Sequence, residues 1–293
     1  MNDARVLNPI FCKDRSSVII PCVSIGMPVF NGEKYIREAI DTLLRQTFVD
    51  FELIISDNAS TDGTRVICED YSARDSRVRF FCHDYNQGAF ENFKFVLSQA
   101  RGKYFMWAAA DDKWSANWIE FLLHAHHKSS ALTFGEVLAF GGDDDVSRHC
   151  RNFKFTGQLL LRSLKFVFQD EYEGKANLIY GMFKVGVIRK VMRTEKSWNY
   201  FSADVLALFS VLQYGEISAS KGAYLYKREG GAGDLFLRGR SVFWRLIAPY
   251  LVPYFFSFVK RARGVGSVVV FLLIPFLLFK VYAKRLVRFF NRS

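Results

Sequence analysis

The chain has 293 residues and 33.8 kDa, with 50% hydrophobic, 16% aromatic and 24% charged residues, which excludes a disordered or low-complexity chain and suffices for a large core. Thirty Phe and a mean hydropathy of +0.04 point to a membrane-facing part. The formal charge of +11 sits at one end: residues 235–293 hold eleven Lys or Arg and no acid, while residues 1–234 are neutral overall.

The N-terminal twenty residues are polar and charged, with neither a long apolar stretch nor a cleavage site. From residue 23 the pattern alternates. Residues 23–27 read as a buried strand closed by Pro28, and residues 33–46 as a helix with Ile36, Ile40, Leu43 and Leu44 inward. Residues 51–56 form a second strand before the turn-rich Asp57–Gly63. A helix to about Ala73 follows, with Val66, Ile67 and Tyr71 inward. A strand at 78–82, a helix at 89–100 and a strand at 104–108 complete this half. Such alternation predicts βαβ units and a mostly parallel sheet, whose ligands bind beyond the carboxyl ends of the strands. Asn31, Glu33, Asp57, Asn58 and the Asp111-Asp112 pair each follow a strand.

Beyond residue 130 the pattern loosens. Strands are expected at 132–140, 178–184 and 216–226, a helix at 203–214, and a loop at 141–145. No internal repeat or linker divides residues 20–234.

Asp111-Asp112, flanked by Trp107 and Trp114, has the chemistry to hold a hard divalent ion with open positions for phosphate oxygens, or simply caps the helix starting near Ser115. Asp57–Gly63 by itself reads first as a turn with a helix N-cap at Ser60 or Thr61, and Asp57 also sits where a base or ribose could be held. Asp204 suits a helix N-terminus or a general base. His124, His126 and His127 read as a solvated helix face, and Asp143–Asp145 as an exposed loop. The chain has no phosphate-binding P-loop, GxGxxG, HExxH or GxSxG, which removes the main support for kinase, dehydrogenase, zinc protease and serine hydrolase readings. Cys12, Cys22, Cys68, Cys82 and Cys150 form no CxxC or zinc spacing, and an odd count without a signal peptide predicts a reducing compartment.

The order of these pieces is more specific than any one of them. Val23-Ser-Ile-Gly-Met-Pro-Val-Phe-Asn-Gly32 followed by Phe51-Glu-Leu-Ile-Ile-Ser-Asp-Asn-Ala-Ser-Thr-Asp-Gly63 resembles the opening of family 2 glycosyltransferases. Asn86-Gln-Gly88, Asn92, Ala100-Arg-Gly102 and Trp107–Asp112 continue the resemblance, and Tyr224–Arg228 looks like that family's closing strand. The resemblance implies an α/β fold of the GT-A, nucleotide-diphospho-sugar-binding type and transfer with inversion. It implies a nucleotide-sugar site drawn from Pro28, Phe30, Asn31, Glu33, Asp57, Asn58, Asn86, Gly88, Asn92 and Asp111, with Phe30 against the base and Asp57 hydrogen-bonded to it. Asp111 and Asp112 stand at the DxD position and would hold Mg2+ or Mn2+, although Ala110 occupies the place of a strict triplet's first acid. Asp204 matches the later acid used as catalytic base. The QxxRW motif of processive synthases is missing, so one sugar per encounter is expected. Competing readings are a non-catalytic nucleotide-sugar-binding module and a sugar nucleotidyltransferase; the latter would want a basic phosphate loop that residues 28–34 do not resemble.

The resulting organisation is an N-terminal extension (1–20), a glycosyltransferase domain (21–234, with a nucleotide-sugar half to 130 and an acceptor half from 131) and a basic hydrophobic tail (235–293). The tail's apolar runs at 242–259 and 265–279 lie between basic clusters, so docking in the interface of an anionic membrane is favoured over spanning it. The expected partners are a nucleotide-sugar donor, a glycan or lipid-linked acceptor and that membrane, at the cytoplasmic face of the cell; no nucleic acid is expected.

Overall fold

The computed structural model describes residues 20–141, 146–150, 153–169, 174–194, 203–229, 251–262, 264 and 266–277. The N-terminal extension, the acids at 143–145 and the ends of the tail lie outside them.

A nine-stranded sheet forms the frame, in the order β3-β2-β1-β4-β8-β6-β9-β5 with β7 (Val146–Cys150) also on β6. β1 (Val23–Val29), β2 (Phe51–Asp57), β3 (Val78–Cys82) and β4 (Tyr104–Trp107) are parallel, as the alternating pattern predicts. β1 and β2 are almost wholly buried, because helices cover both faces of a parallel sheet. β1 continues through Pro28 to Val29, where the sequence suggested that Pro28 closes it. Its pairing with β4 ends at Gly26–Trp107, so at Pro28 only β2 is a neighbour and the missing N–H breaks no ladder on the other side.

Helix α1 (Ile36–Leu44) buries Ile36, Ala39, Ile40 and Leu43. In α2 (Thr64–Arg74) the inward face is Ile67 and Cys68, with Tyr71 partly covered; Val66, expected inward, is exposed. α3 (Ala89–Gln99) packs on β1 and β2.

Past β4 the sheet becomes mixed, which limits the expected parallel character to the first half. β8 (Met182–Lys184) is antiparallel to both β4 and β6 (Ser130–Phe140), whereas β9 (Glu216–Arg228) runs parallel to β6. The apolar run expected as a strand at 178–184 is a 3-10 helix at Lys175–Tyr180 followed by the short β8. Short apolar runs do not distinguish the two by periodicity. Here the turn is anchored by the buried Lys175, whose Nζ donates to the carbonyls of Phe166 and Gln169 at 2.9 and 3.0 Å.

Two register shifts in β6 curl the second half of the sheet. One lies at Gly135, where a Cβ would collide with the Ala223 carbonyl oxygen and the Trp118 ring, so only glycine admits β9 this closely. The curl brings the end of β9 against the short β5 (Lys113–Trp114), with Lys113 opposite Tyr226 and Trp114 opposite Leu225. Lys227 and Arg228 are thereby delivered to the Asp111-Asp112 turn.

Helices α4 (Trp118–Ala125), α5 (Leu159–Phe168), α6 (Val185–Thr194) and α7 (Ala203–Leu212) complete the domain. The expected solvated histidine face is corrected at His126. It follows the end of α4, its Nδ1 lies 2.7 Å from Thr133 Oγ1, and its ring meets Tyr104 edge-on at 4.9 Å. In the tail, α8 (Leu251–Arg261) and α9 (266–277) pack on the domain through Phe258, Val270, Ile274 and Leu277, all buried in its core. No described helix is long and apolar enough to cross a membrane.

Candidate active site

The β1–β2 register sets Val29 beside Asp57, so the two following loops face each other. They are laced together. The backbone N–H groups of Asn31, Gly32 and Glu33 donate to Ser60 Oγ, Thr64 Oγ1 and Asp62 Oδ2 at 2.8, 2.8 and 3.1 Å. In return Asn31 Oδ1 accepts from the Thr61 N–H at 2.9 Å, and Glu33 Oε2 from the Gly63 N–H at 2.9 Å. Asn31 and Ala59 both have left-handed backbones, φ 52° and 60°, a strained state that a surrounding network must hold. Asp57 is buried, and its Oδ1 accepts from the Ser60 N–H at 3.1 Å and from the Ser60 hydroxyl.

A second layer shapes the loop after β3. Asn58 donates to Asn86 Oδ1 at 2.8 Å and accepts from the Gln87 N–H, and Asn86 Oδ1 also accepts from the Gly88 N–H. Gly88 has φ +88° at the start of α3, which explains the glycine. Asn92 is buried and clamps the strand ends, donating to the Ser56 carbonyl at 3.0 Å and accepting from the Ser56 hydroxyl. Among the residues expected to hold a nucleotide, Asn31, Glu33, Asp57, Asn58, Asn86 and Asn92 thus build the cradle's walls. Phe30, 48% exposed at the end of β1, presents an open aromatic face.

The Asp111-Asp112 turn is the electrostatic centre. Asp112 is 1% exposed, and both its oxygens are engaged: Oδ2 by Lys227 Nζ at 3.1 Å and Oδ1 by the Arg228 N–H at 3.0 Å. Arg228 also donates from Nε to the Asp111 carbonyl at 3.1 Å and from Nη2 to Glu38 Oε2 at 2.6 Å, with its guanidinium over Tyr35. Lys113 pairs with the other Glu38 oxygen at 3.0 Å. Burial opposes the charge on Lys227, but Tyr180, Asp112 and Asp111 outweigh it and hold the ammonium above its ordinary range. Asp111 is half-buried, and no hydrogen bond or ion pair to its carboxylate is formed among the described residues.

Asp204 opens α7 and accepts from the Val205 N–H at 2.8 Å. Burial pushes its carboxyl above the ordinary range. Tyr180 adjoins the acid turn: its ring lies under the Lys227 ammonium at 4.9 Å, and burial, with Asp112, Asp111 and Asp204 outweighing Lys227, pushes its hydroxyl above the ordinary range. Lys227, Arg228, Glu38 and Tyr180 were not identified as site residues from the sequence, although Tyr224–Arg228 was singled out as a closing strand.

The donor set admits a hard divalent cation at Asp111. Among the described residues no three acids, histidines or cysteines cluster, so the protein offers one open carboxylate there. Mg2+ is commonly held by one or two carboxylates, with substrate phosphates and water completing its shell. Asp112 already accepts from Lys227 Nζ on one oxygen and from the Arg228 N–H on the other, so an ion there would share these oxygens with them.

The family model described as glycosyl transferase family 2 matches residues 24–191, more than half of the chain. The Escherichia coli UDP-Glc:alpha-D-GlcNAc-diphosphoundecaprenol beta-1,3-glucosyltransferase WfgD is 30% identical over 142 residues, 48% of this chain and 55% of that protein. The chain spans less than two thirds of the length of the curated relatives it matches first. Staphylococcus aureus TarS 1–349 in complex with UDP superposes with a TM-score of 0.60 at 16% identity, covering 92% of each chain. The Pyrobaculum calidifontis mannosyltransferase PcManGT, solved with GDP-Man and Mn2+, gives 0.55 at 14% identity, covering 93% of this chain and 76% of that one. These two structures share the GT-A-type fold.

Proposed function

Since the chain belongs to glycosyl transferase family 2, we propose that it transfers one sugar, with inversion, from a nucleotide-diphospho-sugar to a hydroxyl of a glycan or lipid-linked acceptor. The setting is synthesis of a cell-surface polysaccharide or glycolipid. The observation that carries this reading is the turn after β4, where Asp112 is held by Lys227 and the Arg228 N–H while Asp111 keeps an open carboxylate beyond the parallel strands. The UDP held by TarS and the lipid-diphosphate acceptor in the name of WfgD support the same chemistry.

Each residue has a part. Phe30 lies flat against the base, and the laced loops keep Asp57 and Asn58 in register beneath it. Asp111 would hold Mg2+ or Mn2+, which supplies positive charge to the leaving diphosphate as the glycosidic bond breaks. Asp112 fixes Lys227, which adds a permanent positive charge beside the same diphosphate. Asp204 takes the acceptor proton during attack; its raised pKa makes it a stronger base than an ordinary carboxylate. Direct displacement needs only this one base, hence inversion.

The test is a donor screen by nucleotide release, using UDP-, GDP- and dTDP-sugars with Mn2+ or Mg2+ and Asp204→Asn as control. Release from at least one donor, lost in the variant, is expected. Donor binding without release under any condition would favour a non-catalytic binding module.

A further inference from the structure

α9 is apolar all round, and a helix of that kind is buried or meets lipid. Only half of it is buried. Val270, Ile274 and Leu277 face the core, and Phe258 of α8 joins them against Phe209 of α7, ring centroids 4.9 Å apart and nearly perpendicular. The opposite side is open to solvent: Val268, Phe271, Leu272 and Phe276 are 58, 50, 69 and 57% exposed, with Phe276 also touching Phe168 at the ridge's edge, ring centroids 5.9 Å apart. Their spacing of three and four residues makes one continuous stripe. Phe256 of α8, 40% exposed, extends it sideways, its ring 5.9 Å from that of Phe271. A contiguous apolar ridge of this kind on a folded surface marks an interaction site.

The charge around the ridge selects the partner. Lys260 is exposed at the end of α8 beside Arg261, and across residues 235–293 eleven Lys or Arg stand without one Asp or Glu. An apolar ridge on a segment whose only charges are cationic complements an anionic lipid surface, whose headgroups meet the cations while the acyl boundary takes the rings. A second copy of the chain would bring like charges together. The geometry also suits lying flat: α8 has 11 residues, about 16 Å at 1.5 Å per residue against a ~30 Å hydrocarbon layer.

We propose that α8 and α9 form a membrane-docking ridge, with Phe256, Val268, Phe271, Leu272 and Phe276 inserted at the headgroup–acyl boundary of the anionic cytoplasmic leaflet. The ridge holds whether or not the sugar chemistry proposed above is right.

The experiment is flotation of the full chain with phosphatidylcholine vesicles, alone or mixed with phosphatidylglycerol, at low and high salt. Wild type is expected to float with the mixed vesicles, less so at high salt. Phe271→Ser combined with Leu272→Ser removes two exposed side chains and should reduce partitioning by about tenfold or more, from the transfer cost of the apolar area lost. Unchanged melting and nucleotide binding would show that the variant is folded. Wild-type flotation by that folded variant overturns the proposal, as does failure of wild type to bind the anionic vesicles. A dimer in sedimentation that the same substitutions dissociate would assign the ridge to self-association instead. Nucleotide release is measured separately, so loss of docking and loss of transfer are told apart.

Discussion

Lys227 Nζ lies 3.1 Å from Asp112 Oδ2 across a sequence separation of 115 residues, and the next backbone N–H, that of Arg228, donates to the other Asp112 oxygen at 3.0 Å. This contact closes β9 onto the acid turn. Removing Lys227 alone leaves a buried carboxylate without its counter-ion. Lys227→Met should therefore cost about 1–3 kcal/mol in denaturant unfolding, the scale for orphaning a buried polar or charged group. Adding Asp112→Asn should recover part of that loss, and a double-mutant cycle gives the coupling. Additive losses would mean that the pair is not coupled.

The two acids should separate by phenotype. Asp111→Asn is expected to abolish the Mn2+ dependence of UDP or GDP binding by calorimetry, with stability changed by no more than about 0.5 kcal/mol, as for surface substitutions. Asp112→Ala should abolish transfer and also lower stability, because it releases Lys227 and the Arg228 N–H. Full activity of Asp112→Ala in EDTA would remove both its electrostatic and its positioning role.

For Asp204, activity and stability should move in opposite directions. Asp204→Asn cannot accept the acceptor proton, and loss of a positioned base costs about 10²–10⁴ in rate. The folded-state pKa is raised by burial, so the contribution of this carboxyl to stability is present at low pH and lost as pH rises through that pKa. At neutral pH the asparagine variant should accordingly melt higher while binding donor normally. In wild type, turnover should fall as pH drops through the same raised pKa. Wild-type turnover in the variant would place the base elsewhere.

His126 predicts an acid sensitivity unrelated to catalysis. Burial, aided by Lys184, His127 and Lys103, pushes its pKa down to about 4, and its Nε2 is buried with no hydrogen-bond partner among the described residues. An unfolded histidine titrates near 6.5, so between about pH 6.5 and 4 the unfolded chain binds a proton that the folded one refuses. Stability is thus lost as pH falls through this window, by up to about 3 kcal/mol. His126→Asn should flatten the dependence, read as melting temperature against pH.

The first half of the fold was legible because its signals are local. The strand runs at 51–56 and 78–82 and the turn at Asp57–Gly63 lie where the spacing predicts, differing from the observed elements by a residue or so. The loops' functional residues were legible as types but not as contacts: nothing in the sequence pairs Glu33 with Gly63, or Asn58 with Asn86. The second half depends on long-range geometry. Lys227 reaches Asp112 only because β6 shifts register and β9 curls with it, a consequence of packing at Gly135 that no periodicity reports. His126 was misassigned for a related reason: α4 ends one residue earlier, so its ring leaves the helix face and turns onto β6.

The Phe258–Phe209 contact has a geometric corollary for the acceptor. Phe209 stands five residues after Asp204 on α7, about 7–8 Å along the helix axis. With the ridge seated in lipid, this stack acts as a fixed spacer between the bilayer surface and Asp204. Acceptors would then be selected by elevation as well as by chemistry, turning over only when their hydroxyl stands at that one height above the headgroups.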